Sequence, residues 1–312
     1  MAGYAPCSSL NILFISLMLH TTLAFHHAPL SLSTTTPGLA MNRCSRSVAA
    51  FAPRTSLNIQ PRAHSHRSPL LSLRATVTTE SLEDMVAAAE PGDTILLPKG
   101  TYELSETLRI DKDITIAAEE GVARNDVLIT GSAPTDARGI LCMVTSKAKF
   151  KGVKVHHAGG SVGGTLSSGK GSICFFVNEP GSLELDDCLV TTETSTAVMA
   201  SGGQASVLVN TCTIGPCGWD CESAAGYGVC IFRGAHGTVL NTDVYRVGQS
   251  GIIAFYEEST ALAVACDVGP CQLGGIAAEG QRAVLKAKDV HLHDIEWKQV
   301  AEYDGGEVVF LD

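Results

Sequence analysis

One spacing pattern limits what this chain can fold into. Apolar, any, apolar, any, any, Cys or Asp, any, apolar or aromatic recurs down the C-terminal two thirds, from Leu183 to His291. It reads Leu183, Leu185, Cys188, Val190, and then Val207, Val209, Cys212, Ile214. It returns more loosely as Leu240, Asp243, Tyr245, as Val264, Asp267, and as Val284, Asp289, His291. A near-constant step of roughly two dozen positions means stacked units, none of which can bury its apolar face alone. The alternation inside each unit predicts strands. Each repeat is therefore expected to be one coil of a parallel stack.

The segment from Met1 to Ala75 has a different character. It contains no Asp or Glu, whereas all 32 acidic residues follow it. Residues 11–25 form a short apolar stretch ending near the small residue Ala24, which fits a signal-peptide core and is too short to span a bilayer. The stretch after it is rich in Ser, Thr and Pro and carries Arg43, Arg46, Arg54, Arg62, Arg67 and Arg74, a transit-peptide composition. The expected divisions are a signal peptide over 1–24, a disordered plastid transit peptide over 25–75 and the folded domain over 76–312. Together the first two resemble the bipartite presequences of algae with multiply bounded plastids, in which a Phe follows the signal cleavage. Phe25, or Phe51 in Phe51-Ala52-Pro53, would be that residue. Secretion with a disordered pro-segment is the alternative.

Of 22 basic residues six lie in the leader, which leaves 16 against 32 acids and a net charge of −16 after Ala75. Such a surface repels phosphate backbones and argues against a nucleic-acid partner. It equally disfavours polyanionic sugars. No later segment reaches membrane-spanning length, so no membrane contact is expected of the mature form.

The folded part opens with Ser81 before Leu82-Glu83-Asp84-Met85-Val86-Ala87-Ala88-Ala89, a capped helix with acids in its first turn. Pro91-Gly92 stops it. Asp93-Thr94-Ile95-Leu96-Leu97 follows, then a Gly100-Thr101-Tyr102 turn and Ile114-Thr115-Ile116. This order resembles the opening of the pectin-lyase-like right-handed β-helix superfamily. The resemblance covers roughly residues 80–293 and implies an all-β fold, a single right-handed parallel β-helix of about seven coils whose short N-terminal helix caps an exposed strand edge. It implies no single activity, since lyases, hydrolases, epimerases and binding modules share that architecture.

Nine of the 11 cysteines follow Ala75, an odd number that argues against a complete disulfide framework. Cys188 and Cys212 share a repeat position and are expected to be inert thiols in an inward column. Cys212-Thr213-Ile214-Gly215-Pro216-Cys217 recurs as Cys266-Asp267-Val268-Gly269-Pro270-Cys271, which puts Cys266 in the column of Cys212 and equivalent thiols two coils apart. A zinc site from Cys217, Cys221 and Cys230 has poor ligand spacing. His156-His157 and His291-Leu292-His293-Asp294 offer two imidazoles each without a confirmed third ligand. Neither a metal site nor a cofactor is therefore expected. Asp243, Asp267 and Asp289, one per coil, are expected to serve in turns rather than as a charged ladder.

Two coils carry insertions, Gly159 to Lys170 and Gly215 to Ser223. Both follow the same strand of their coil, so they should leave the rod on one edge, with the coil of Cys188 and Cys212 between them. Loops on a rigid scaffold commonly carry function. Trp219 beside Asp220 and Glu222 offers a stacking ring and two carboxylates, suited to holding or hydrolysing a sugar. Lys170 and Arg233 add cations, and His236 is a candidate acid or base beside the weak catalytic candidates Asp220 and Glu222. Polygalacturonase-like fragments at Asp186-Asp187, Gly234-Ala235-His236-Gly237 and Asn241-Thr242-Asp243 stand in the wrong order, and Arg-Ile-Lys is missing. The expected role is a binding module that contacts a carbohydrate or protein partner through one loop edge. A glycosidase, polysaccharide lyase or epimerase working from the Trp219 loop and a purely structural interaction rod are the alternatives.

Overall fold

The computed structural model describes residues 72–74, 81–132, 139–159, 173–194, 196–219 and 226–312. Its strands form three parallel sheets, the first of ten strands and the second and third of eight each. The chain visits the sheets in strict rotation. Thr94–Leu97 lies in the first sheet, Gly100–Glu103 in the second and Leu108–Ile110 in the third, and Ile114–Ala118 returns to the first. Eight complete coils run from Thr94 to Tyr303, and Glu307–Phe310 begins a ninth. At about 4.8 Å per coil the rod is about 40 Å long. The expected right-handed parallel β-helix is the fold, with one coil more than the repeat suggested. The eighth coil gives a weak sequence signal because only one side chain of its six-residue strand Lys298–Tyr303 is buried.

Alternation places one stripe of each sheet inside. In the first sheet Ile116, Phe150, Leu185, Val209, Val239, Ala263 and Ala287 stand in register and are fully buried. In the third, Phe175 follows Cys142 and meets Phe150 edge to face at 4.9 Å across the core. The helix Leu82–Ala88 closes the N-terminal end, burying Leu82 and Val86. Ser81 Oγ accepts the Asp84 N–H, and Lys112 Nζ donates to the Ala87 and Ala89 carbonyls at the other end.

Register corrects the reading of three coils by one residue. Val239, Ala263 and Leu285 point inward, whereas Leu240, Val264 and Val284, taken as the apolar markers, lie on the outer face. Apolar residues on both faces had blurred the alternation. The aspartates do not form one column either. Asp243 and Asp267 are neighbours, but the next residue in register is His291. Asp289 instead occupies a turn where Asp187, Thr211, Asn241 and Ala265 also adopt positive φ of 47 to 55°. Asp and Asn tolerate that conformation better than most residues, so turn duty explains Asp289.

All eight described cysteines are buried and unbridged. Cys212, Thr242 and Cys266 follow one another in successive coils, and Cys217, Val247 and Cys271 do the same one corner further on. The repeated Gly-Pro has a steric reason. A Cβ on Gly215 would overlap the carbonyl oxygen of Tyr245, and one on Gly269 that of His293, both from the next coil. Cys217 packs inside the rod while Cys230 lies outside the third sheet, so these two thiols share no site.

Candidate functional site

The three long connections, 131 to 140, 157 to 173 and 217 to 229, all run from the second sheet to the third. The expected single loop edge is therefore present, with a third insertion that the repeat spacing had not singled out. Lys170, Asp220 and Glu222 fall outside the described residues. At the base of the first two loops His157 is fully buried, its Nε2 2.8 Å from the Gly139 carbonyl and its Nδ1 accepting the Gly159 N–H at 3.1 Å. Burial pushes its pKa below the ordinary value, so it serves as a neutral staple between two loop bases.

Trp219 stands half-buried at the root of the last loop. The Arg246 guanidinium lies 6.0 Å from its ring centroid and Gln272 Nε2 donates to its carbonyl at 3.2 Å. Arg233 is a turn residue with φ 52°, and its N–H donates to the Phe255 carbonyl. His236 is not in that turn. It begins a strand of the first sheet and projects outward, Nδ1 2.6 Å from Thr260 Oγ1. Trp219 and His236 thus belong to different faces, and the structure does not bring them together.

The outer face of the first sheet holds a shallow groove of about 300 Å³, lined in part by Lys147, Ser182, Glu184, Ser206 and His236. Ser206 Oγ donates to Ser182 Oγ at 2.9 Å, and Lys149 Nζ holds Glu184 at 2.6 Å. One carboxylate lines this groove, and it is already paired.

The third sheet offers more. Its strands Val229–Phe232, Ser250–Phe255 and Gly274–Glu279 are apolar on both faces. Cys230, Phe232, Ile253, Ala277 and Ala301 form a second apolar layer outside the sheet, each no more than 7% exposed. Phe232, Phe255, Glu279 and Tyr303 stand in register in four successive coils. Within this face the Phe232 ring packs 5.5 Å from that of Phe255 and 5.9 Å from that of Tyr256. At the C-terminal end Trp297, 53% exposed, stacks on Tyr303 at 6.0 Å and 15° between planes. Lys298 Nζ lies 5.0 and 4.9 Å from the two ring centroids. Tyr303 Oη is buried without a hydrogen-bond partner among the described residues. Sequence reasoning missed this face. The signal was there in the spacing of Phe232, Phe255, Glu279 and Tyr303, which matches the coil step, but the search followed the inward pattern.

Residues 138–310 match the family model described as the right handed beta helix region. The chain belongs to the right-handed β-helix family. Among solved structures this β-helix is similar to a mutant of the PL6 family alginate lyase AlyGC, with 14% identity over 74% of this chain and 38% of that one and a TM-score of 0.49. It is also similar to the Dettilon tailspike protein, with 16% identity over 70% of this chain and 49% of that one and a TM-score of 0.46. The β-helix thus spans less than half the length of either protein. No curated protein matches it.

Within this β-helix, Glu279 is the unusual acid. Burial beside the aromatic column, with a smaller push from Asp304, raises its pKa above the ordinary 4.5. The folded chain holds this proton more tightly than the unfolded one, so the carboxyl adds stability below its ordinary pKa that is lost as pH rises through its folded value. Glu279→Gln is therefore expected to raise Tm at pH 7 by roughly 1 to 3 °C, with the gain vanishing near pH 4. Thermal unfolding of both forms across that range checks it, and a Tm gain independent of pH would reject the assignment.

Proposed function

We propose that this β-helix is a non-catalytic binding module whose ligand is a neutral carbohydrate, held on the outer face of the third sheet beside the loop edge. The Trp297–Tyr303 stack carries the reading. A sugar ring presents C–H groups to an aromatic face and hydroxyls at its rim, so it needs an exposed flat ring next to polar groups with free valence. Trp297 supplies the ring. The Glu279 carboxyl, in register with Tyr303 one coil away, supplies a polar group. The loop edge stays part of the proposal, with Trp219, Lys170, Asp220 and Glu222 as its contributors; Arg233, in the turn from the third sheet to the first, lies on another edge. The net charge favours a neutral glycan over an acidic one. The chain has two tryptophans, Trp219 and Trp297, both on this side, so titration of the full chain with cello-, laminari- and malto-oligosaccharides under tryptophan emission reads the site directly. A saturable change with one of them is expected, and silence with all of them would remove the reading.

Of the candidates of the enzyme alternative, Asp220 and Glu222 in the Trp219 loop lie outside the described residues, and His236 lines the groove on the first sheet with Nδ1 2.6 Å from Thr260 Oγ1. Glycoside hydrolysis by the usual route needs two carboxyl groups, and the groove lining holds Glu184 alone, tied to Lys149. On this groove, binding is therefore preferred over turnover. Among the described residues no helix is long and apolar enough to cross a membrane.

A plastid location through the bipartite leader belongs to the same proposal. It rests on the acid-free stretch up to Ala75 and on its arginines. N-terminal sequencing of the native protein is expected to find a start between about positions 60 and 80. A mature chain beginning at Phe25 would mean secretion instead.

A further inference from the structure

The outer face of the second sheet brings together what the sequence left apart. Asp267 and His291 are paired in register in successive coils, and His293 follows two positions on. Asp267 Oδ1 lies 2.9 Å from His291 Nδ1 and 3.3 Å from His293 Nε2, and the three ligand atoms all lie within 4.8 Å of one another. The imidazole pair that lacked a third ligand in the sequence thus has one, delivered by the coil before it.

We propose that Asp267, His291 and His293 form a binding site for a divalent transition-metal ion, with Zn²⁺ as the best fit. Zn²⁺ takes imidazole nitrogen and carboxylate oxygen at about 2.0 to 2.2 Å, which sets neighbouring donors about 3.0 to 3.5 Å apart. The observed oxygen–nitrogen separations fall at or close to that range before any adjustment. Two nitrogens and one oxygen suit Zn²⁺ far better than Ca²⁺ or Mg²⁺, which take oxygen ligands.

Further features support the site. His293 Nδ1 is 3.0 Å from Asp294 Oδ2, so its N–H points to a carboxylate and Nε2 is left with its lone pair toward Asp267. A carboxylate behind a ligating histidine is the usual outer support, fixing both tautomer and ring orientation. The backbone at His293 is fixed as well. Its carbonyl sits over Gly269, where a Cβ would overlap it, and Gly269 holds φ at 143°. The two imidazoles lie stacked at 5.4 Å with 23° between planes, so both ligand nitrogens are presented from nearly parallel rings. Asp243, next to Asp267 in the preceding coil, adds negative potential. Three protein ligands leave the remaining coordination positions to water, which makes the ion exchangeable and open to an outside ligand.

The test uses the full chain, purified without affinity histidines and stripped of metal. Isothermal titration with Zn²⁺ is expected to show one equivalent bound. Asp267→Asn, His291→Ala and His293→Ala should each weaken it at least about tenfold, and Asp294→Asn about tenfold through its hold on His293. The ligand side chains are 33 to 74% exposed, so these variants should keep the wild-type circular dichroism. His236→Ala, on another face, should bind as the wild type does. Co²⁺ in place of Zn²⁺ should give visible bands without thiolate-to-cobalt charge transfer. No uptake by the wild type, undiminished binding in the His291→Ala/His293→Ala double variant, or a thiolate band from the cysteines would each overturn the proposal.

Discussion

Leu185→Asp is expected to leave the protein insoluble. Leu185 is fully buried between Phe150 and Val209 of the neighbouring coils, in a column that has no polar partner to offer a carboxylate. A buried unpaired charge together with the lost apolar contact costs on the order of 3 to 5 kcal/mol or more, against a typical total stability of about 5 to 15 kcal/mol. The coil cannot relax locally, because each strand is hydrogen-bonded on both sides. Glu184→Lys, one position away, gives the contrast. Glu184 points outward, pairs with Lys149 and is 37% exposed, so reversing it removes a half-exposed ion pair and sets two lysines side by side. That should cost about 1 kcal/mol or less. Soluble yield and circular dichroism separate the two, and equal tolerance of both would contradict the assigned faces.

Most of the fold could be read from the sequence, because a coil repeats its inward positions and the repeat survives wherever those positions are Leu, Val, Ile or Cys. It faded where alanine replaced them. Ala263 is a weak apolar marker beside the outward Val264, and Val239 and Leu285 stand beside the equally apolar, outward Leu240 and Val284, which is how the register slipped in the later coils. The single loop edge was legible too, since both insertions follow the same repeat position. The proposed binding face was not. Phe232, Phe255, Glu279 and Tyr303 are separated by whole coils, and their columnar arrangement appears only after strand pairing is known. Trp297 has no repeat partner at all. The metal-ligand triad needed the same knowledge, because Asp267 meets His291 only across a coil boundary.

The capping helix illustrates the opposite case, a feature legible because it is local. Ser81, the acids at Glu83 and Asp84 and the Pro91-Gly92 stop act within one short stretch, and each has the expected partner or position in the structure. Sites built from side chains far apart in the chain follow from topology rather than from any local signal.

Loss of glycan binding in Trp297→Ala is the second large effect. Removing the ring takes away the stacking surface beside the Glu279 carboxyl. Aromatic contacts of this kind are large enough that a loss of about tenfold to a hundredfold in affinity is expected. Tm should stay within about 3 °C, because the side chain is half exposed and lies outside the coil core. Trp219→Ala reports on the loop edge, where the Arg246 guanidinium faces the ring. The decisive measurement is calorimetric titration of the wild type, Trp297→Ala and Trp219→Ala with the oligosaccharide that perturbs tryptophan emission. Binding lost in Trp297→Ala with Tm unchanged is the predicted result. Undiminished binding in Trp297→Ala, whatever Trp219→Ala does, would contradict the assignment of the third sheet as the ligand face.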